Sequence, residues 1–286
     1  MTTMPTRRLG GLQVSAIGFG EMQLSLAGRP DEARAIGTIH AALDAGVTLI
    51  DTADAYCIDE SEMGHGERLV AKALAAWSGD TDQVLVATKG GHTRPGGHWD
   101  VDGRPEYLRQ ACEASLRALG VDAIGLYQYH RPDPKVPFAE SVGALAELKA
   151  AGKVRLVGLS NVSVDQISQA RQLVEVASVQ NEFSPRFRRS EGELAWCAAN
   201  RIAFLPWSPL GGIGRGRDLG DRHRAFGEVA EAHGVSAQQV ALAWELAKAP
   251  AVIPIPGSSR PETITDSAAA ASLRLSDDEL DRLDRV

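Results

Sequence analysis

Eight short apolar runs, each followed by a stretch of helical periodicity, constrain this chain more than any other feature. They cover residues 16–20, 47–50, 84–89, 123–129, 154–159, 177–180, 202–207 and 252–255. The runs are continuous in Val, Ile and Leu rather than alternating with polar residues, as a strand requires when both its faces are buried. Between them, apolar residues recur three and four apart, as Ile36, Ile39 and Leu43 do before the stop at Gly46. Evenly spaced βα units predict a (β/α)8 TIM barrel, with an N-terminal β-hairpin turning at Gly10-Gly11 and a charged C-terminal helix from Ser276. A doubly wound sheet is the competing architecture. Its Gly-x-Gly-x-x-Gly fingerprint is missing, because Gly18-Phe19-Gly20 runs into Glu21-Met22-Gln23. No segment has linker composition, so residues 1–286 read as one domain. The Gly-rich stretch 90–103, with His92, His98 and Trp99, reads as a loop. Ser160-Asn161 reads as the cap of a helix starting near Ser163.

Composition narrows the function. A net charge of -7 argues against a nucleic-acid or anionic-membrane surface. No run approaches the roughly 20 apolar residues a membrane span needs. Cys57, Cys112 and Cys197 are odd in number and lack metal spacing, so they read as free thiols of a cytoplasmic protein. The seven histidines form neither HxH nor HExxH, and no metal is expected.

The chemistry sits at the run ends. Asp51 and Tyr56 follow the second run, Lys89 closes the third, and His130 closes the fourth. In parallel α/β folds, ligands collect at that carboxyl edge. A lysine ammonium beside a phenol favours the phenolate and is expected to lower a pKa that is ordinarily about 10. An acid beside the lysine keeps it charged, and an imidazole can donate to a carbonyl oxygen. The four together form a general acid with a polarising pocket, which suits carbonyl reduction.

Asp51-Thr52-Ala53-x-x-Tyr56, the strand-end Lys89 and His130 resemble the aldo-keto reductase superfamily, and its bacterial short-loop members most. So do Val157-Gly158-Leu159-Ser160-Asn161, Gln180-Asn181-Glu182-Phe183, Trp207-Ser208-Pro209-Leu210-Gly211 and Ile255-Pro256-Gly257-Ser258, in the same order. The resemblance implies a (β/α)8 barrel binding NADP(H) across its carboxyl face. It implies Tyr56 as proton donor, Lys89 as its modulator, Asp51 holding Lys89, and His130 orienting the substrate carbonyl.

For the cofactor it implies Ser160, Asn161 and Gln180 on the carboxamide, and Trp207 stacked on the nicotinamide where the family usually has Tyr or Phe. Met22 is expected both to touch the cofactor and to line the substrate pocket. Ser208, Leu210 and Gly211 would meet the pyrophosphate through backbone N–H groups, and the Gly-rich, basic 212–217 could close over it. Gly257, Ser258, Ser259 and Arg260 match the segment holding the adenosine 2′-phosphate. Gly257 stands where many members have Lys, and Thr263 where they have Arg; Asp266 and Ser267 replace Glu-Asn contacts to adenine. Arg260 would restore the charge, so NADPH is expected ahead of NADH.

Met22, Tyr56, Cys57, Trp99 and the loop 131–137 are expected to line a pocket for an aromatic or medium-chain aldehyde. The reading is an NADP-dependent reductase of small carbonyl compounds, monomeric or weakly self-associating. The alternatives are an NADPH-binding regulatory protein with negligible turnover and a metal-dependent barrel hydrolase using Asp51 and His130.

Overall fold

The computed structural model describes residues 4–285. The ends of the expected 1–286 domain, residues 1–3 and 286, lie outside the described residues. The chain opens on an antiparallel hairpin, β1 (Thr6–Leu9) and β2 (Leu12–Ser15), turned at Gly10 as anticipated. Leu9 and Val14 are buried against Leu49, Leu85, Leu126 and Ile253. Each fully buried side chain of this size contributes about 1.5–3 kcal/mol. Arg7 ties the hairpin down by donating to the carbonyls of Leu246 (2.9 Å) and Ala249 (2.5 Å).

A parallel sheet then begins with β3 (Phe19–Gly20), β4 (Leu49–Asp51) and β5 (Leu85–Gly90). A small antiparallel hairpin, β6 (His92–Thr93) and β7 (Asp100–Val101), interrupts it inside the stretch read as loop. The sheet resumes with β8 (Ile124–Tyr129), β9 (Val154–Ser160), β10 (Val176–Gln180) and β11 (Ala203–Phe204), seven strands in chain order.

The run 252–257 lies beside both edge strands. Val252 bridges Phe204, and Gly257 bridges Gly20, both parallel. It forms no regular ladder because Pro254 and Pro256 have no N–H. Their carbonyls still accept, from Gly18 N–H (2.8 Å) and Gly20 N–H (3.0 Å). This is also why the first expected strand, 16–20, shrinks to Phe19–Gly20. Pro206 likewise shortens the run 202–207, with Trp207 keeping only a single bridge to Glu182. Gly20 is required where the backbones meet, since a Cβ there would lie 2.8 Å from the Ile255 carbonyl oxygen.

The helices are α1 (Glu32–Asp44), α2 (His65–Ala76), α3 (Pro105–Leu119), α4 (Phe138–Ala150), α5 (Val164–Ala170) and α6 (Glu191–Ala199). They continue with α7 (Leu219–Arg222), α8 (Arg224–His233), α9 (Ala237–Lys248), α10 (Pro261–Ala269) and α11 (Asp277–Asp284). Their apolar faces cover one side of the sheet, where Ile39 and Val70 meet Ile50, and Cys112 and Leu145 share a core with Tyr127 and Val157. Side chains alternate along a strand. The opposite side therefore carries Leu85, Ala87 and Lys89 on β5, and Leu126 and Gln128 on β8.

The cap of α5 is Ser163 itself, in a reciprocal capping box with Gln166. Ser160 and Asn161 are thereby free of the capping role expected of them. No helix among the described residues is long and apolar enough to cross a membrane.

Candidate active site

Parallel pairing in register sets the site. Gly20 lies opposite Asp51, Lys89 opposite Gln128, and Gln180 opposite Ser160. The polar residues that finish each strand therefore gather at one edge. The centre is the Lys89 ammonium, fully buried. It donates to Asp51 Oδ1 at 2.5 Å, Tyr56 Oη at 2.9 Å and the Thr52 carbonyl at 2.9 Å, so all three of its N–H bonds are used. Burial presses its pKa down, while the Asp51 carboxylate and the Tyr56 oxygen pull it up. The balance lies above the ordinary lysine value. The other carboxylate oxygen of Asp51 accepts from Gln128 Nε2 (3.0 Å) and Gln180 Nε2 (2.8 Å).

Because Lys89 donates to Tyr56, the phenolic proton is left to point elsewhere, and Tyr56 lines the adjoining cleft. The expected lowering of its pKa does not hold. Burial outweighs the pull of Lys89 and pushes the phenol up to about 12. A phenolate closed off from water loses more solvation than one ammonium returns.

His130 stands edge-on to Tyr56 with ring centroids 5.7 Å apart. Burial and the Lys89 charge hold its pKa well below the usual histidine range, so it is neutral. His92 packs at right angles to His130, 4.3 Å between centroids. Trp99 closes the wall against His92, backed by the Arg94 guanidinium 4.1 Å from its ring.

The cleft, about 1170 Å³, runs from Tyr56 and His130 past Trp207 to Arg260 and Asp266. Met22, Ser160, Asn161, Gln180, Trp207, Ser208, Leu210, Gly257, Ser258, Ser259, Arg260, Thr263 and Asp266 all line it. Four expectations need correction. Gly211 does not line the cleft, and its N–H is donated to the Ser208 carbonyl at 2.8 Å; Gly212 faces the cleft instead. Gln180 spends its amide hydrogens on Asp51 and Gln128, so only its oxygen remains for a ligand. Cys57 is buried away from the cleft, its thiol on the Ala55 carbonyl. Of the loop 131–137, only Arg131 reaches the lining.

Asn161 holds a left-handed backbone, φ 59°, and its amide donates to the His130 carbonyl and to Ser160 Oγ, both at 3.0 Å. At the far end Asp266 accepts from Ser236 Oγ and Gln239 Nε2, each at 2.6 Å. Ser258 Oγ bonds Thr263 Oγ1 and the Arg260 backbone. Arg260 Nε lies 3.7 Å from Glu262 Oε1, a loose pairing that leaves the guanidinium available.

Gln128, His92 and Glu21 were missed as site residues. Gln128 was legible: it lies two residues before His130 and so shares its face. His92 had no periodic signal, sitting in a Gly-rich stretch. Glu21 follows a strand only two residues long, and only packing reveals it. It is fully buried beneath the site, accepting from Thr52 Oγ1 at 2.9 Å and from Ser25 Oγ.

Burial raises the Glu21 carboxyl to about 7 from an ordinary 4.5. The folded protein thus keeps a proton between pH 4.5 and 7 that the unfolded chain has released. Stability from this group is full below that window and is lost as pH rises through it. Glu21→Gln mimics the protonated acid. It is expected to exceed the wild type in stability at pH 8 by on the order of 3 kcal/mol, and to match it near pH 4.5. Urea unfolding at both pH values checks this; an unchanged difference between them contradicts it.

A parallel sheet lined by helices, with a phenol, ammonium and carboxylate converging where a long cleft begins, defines an α/β protein with its polar strand ends gathered at one edge. The chain belongs to the Aldo/keto reductase family, whose model matches residues 16–286. It is 36% identical to an uncharacterized oxidoreductase of Schizosaccharomyces pombe, over 98% of this chain and 89% of that one. It is 37% identical to a 6-dehydroglucose reductase of Novosphingobium aromaticivorans, over 94% and 90%. Among solved structures it resembles a glycerol dehydrogenase from Gluconobacter oxydans (TM-score 0.84, 28% identity, covering 98% of this chain and 94% of that one). It also resembles an aldo/keto reductase from Klebsiella pneumoniae in complex with NADP and acetate (TM-score 0.81, 28% identity, covering 99% and 95%).

Proposed function

We propose that this protein is an NADPH-dependent reductase of aldehydes and ketones, built as one domain whose eight parallel segments close into a (β/α)8 barrel. The bridges from the run 252–257 to Phe204 and Gly20 support closure. The single observation that carries the chemistry is Lys89 bridging Asp51 and Tyr56 while the phenolic proton stays free for the cleft. The buried, unpaired thiols of Cys57, Cys112 and Cys197 fit a cytoplasmic setting.

The residues along the cleft fit the cofactor in type and order. Ser160, Asn161 and the Gln180 oxygen suit a carboxamide, and Trp207 suits a flat ring. Ser208, Leu210 and Gly212 bring backbone to a pyrophosphate, and Arg260 suits a 2′-phosphate. The complexes of Klebsiella pneumoniae aldo-keto reductases with NADP and with NADPH support this choice.

Bound NADPH supplies the hydride. The chain does the rest. His130, neutral, donates to the carbonyl oxygen and orients it. Tyr56 gives that oxygen its proton as negative charge develops there. The resulting phenolate is held by Lys89, whose charge is anchored by Asp51, with Gln128 and Gln180 locking Asp51 in turn.

Steady oxidation of NADPH by a panel of aldehydes and ketones tests the reading. Tight NADPH binding with no turnover on any of them overturns it in favour of a regulatory role. Arg260→Ala is expected to weaken NADPH binding by about 10- to 100-fold through loss of charged hydrogen bonds, and to leave NADH binding unchanged. Fluorescence titration with both cofactors checks that selectivity; equal losses remove Arg260 from the phosphate site.

A further inference from the structure

We propose that His92 is a specificity-determining residue that accepts a hydrogen bond from a hydroxyl on the carbon next to the substrate carbonyl. The inference rests on the reductase reading above and adds to it the kind of carbonyl compound preferred.

The β6–β7 hairpin holds His92 so that Nδ1 lies 2.9 Å from the Asp100 carbonyl oxygen. A carbonyl only accepts, so Nδ1 carries the proton. A neutral imidazole has one N–H, and Nε2 is therefore a bare acceptor. Burial keeps this ring neutral by pushing its pKa below the usual histidine value. His92 lines the cleft, and its Nε2 is neither bonded to another described residue nor sealed from solvent.

His130 has the complementary arrangement. Its Nδ1 is sealed in the protein with no partner among the described residues. A stranded lone pair is the cheaper orphan, which places the proton on Nε2. The two rings thus offer one donor and one acceptor side by side, 4.3 Å between centroids.

A plain aldehyde satisfies His130 and Tyr56 but leaves His92 Nε2 without a donor once the substrate displaces water. An α-hydroxycarbonyl satisfies all three, its oxygen accepting from Tyr56 and His130 and its hydroxyl donating to His92. Trp99, edge-on to both Tyr56 and His92, bounds the same space with a ring suited to the C–H face of a hydroxylated chain.

The test compares 2-hydroxypropanal with propanal, which differ by the one hydroxyl, in wild type and His92→Phe. The wild type is expected to favour 2-hydroxypropanal in kcat/KM by about 10- to 100-fold. His92→Phe is expected to lose that preference, bringing its kcat/KM values for the two aldehydes to within about threefold of each other. Equal losses on both aldehydes, or a preference that survives, overturn the inference. Wild-type turnover without preference overturns it alone, whereas no turnover with either aldehyde or any other carbonyl overturns the reductase reading and this inference with it. An independent readout needs no variant. ¹⁵N NMR of histidine-labelled wild type is expected to show His92 protonated at Nδ1 and bare at Nε2; the opposite tautomer, or an imidazolium at neutral pH, overturns the assignment.

Discussion

Tyr56→Phe is expected to lower kcat for carbonyl reduction by about 10²- to 10⁴-fold, the usual contribution of a positioned general acid, with NADPH affinity nearly unchanged. The substitution removes one oxygen and nothing else. Among the described residues, that oxygen is the only group in the cleft whose proton is both free and backed by a buried cation, Lys89 at 2.9 Å. With the phenol held at about 12, Tyr56 carries its proton at neutral pH, and the wild type is expected to give it up only as an alkoxide forms. Pre-steady-state and steady-state kinetics with one good aldehyde, beside a fluorescence titration with NADPH, separate the two effects. Turnover that survives in the variant removes Tyr56 from the proton-donating role.

Lys89→Met is expected to cost both activity and stability, the latter by about 3–5 kcal/mol, because it leaves the Asp51 carboxylate buried without its counter-charge. Asp51 is 2% exposed and, among the described residues, has only the two amides of Gln128 and Gln180 besides Lys89. Neutral donors solvate a carboxylate less well than an ammonium at 2.5 Å does. The double variant Lys89→Met with Asp51→Leu is expected to recover much of the stability and none of the turnover, since an apolar pair can replace a buried ion pair but cannot hold a phenolate. Urea unfolding of the two variants, read beside their kcat, decides the matter. A single variant that keeps wild-type stability contradicts the account of Lys89 as the anchor of this edge.

Much of the site was legible because a strand end is a local event. An amine closing Val84-Leu85-Val86-Ala87-Thr88, or an acid closing 47–50, announces itself in a few residues, and parallel strands bring such ends to one edge. Ser160, Asn161, Trp207 and Arg260 were singled out by resemblance, and all four line the cleft. What failed to show depends on details of packing. The Tyr56 pKa went the other way because desolvation is a sum over all surrounding atoms. Gly211 was misplaced because a turn decided where its N–H points.

The chain's own pattern of apolar runs and helical periods thus determined the parallel α/β architecture, the polar strand ends and the family, because each follows from near neighbours in sequence. Only tertiary structure decided that Pro254 and Pro256 replace a ladder with isolated bridges, that burial raises the Glu21 carboxyl under the site, and that His92 turns a ring nitrogen to the cleft. Each depends on groups far apart along the chain, and on how much water the folded protein leaves around them.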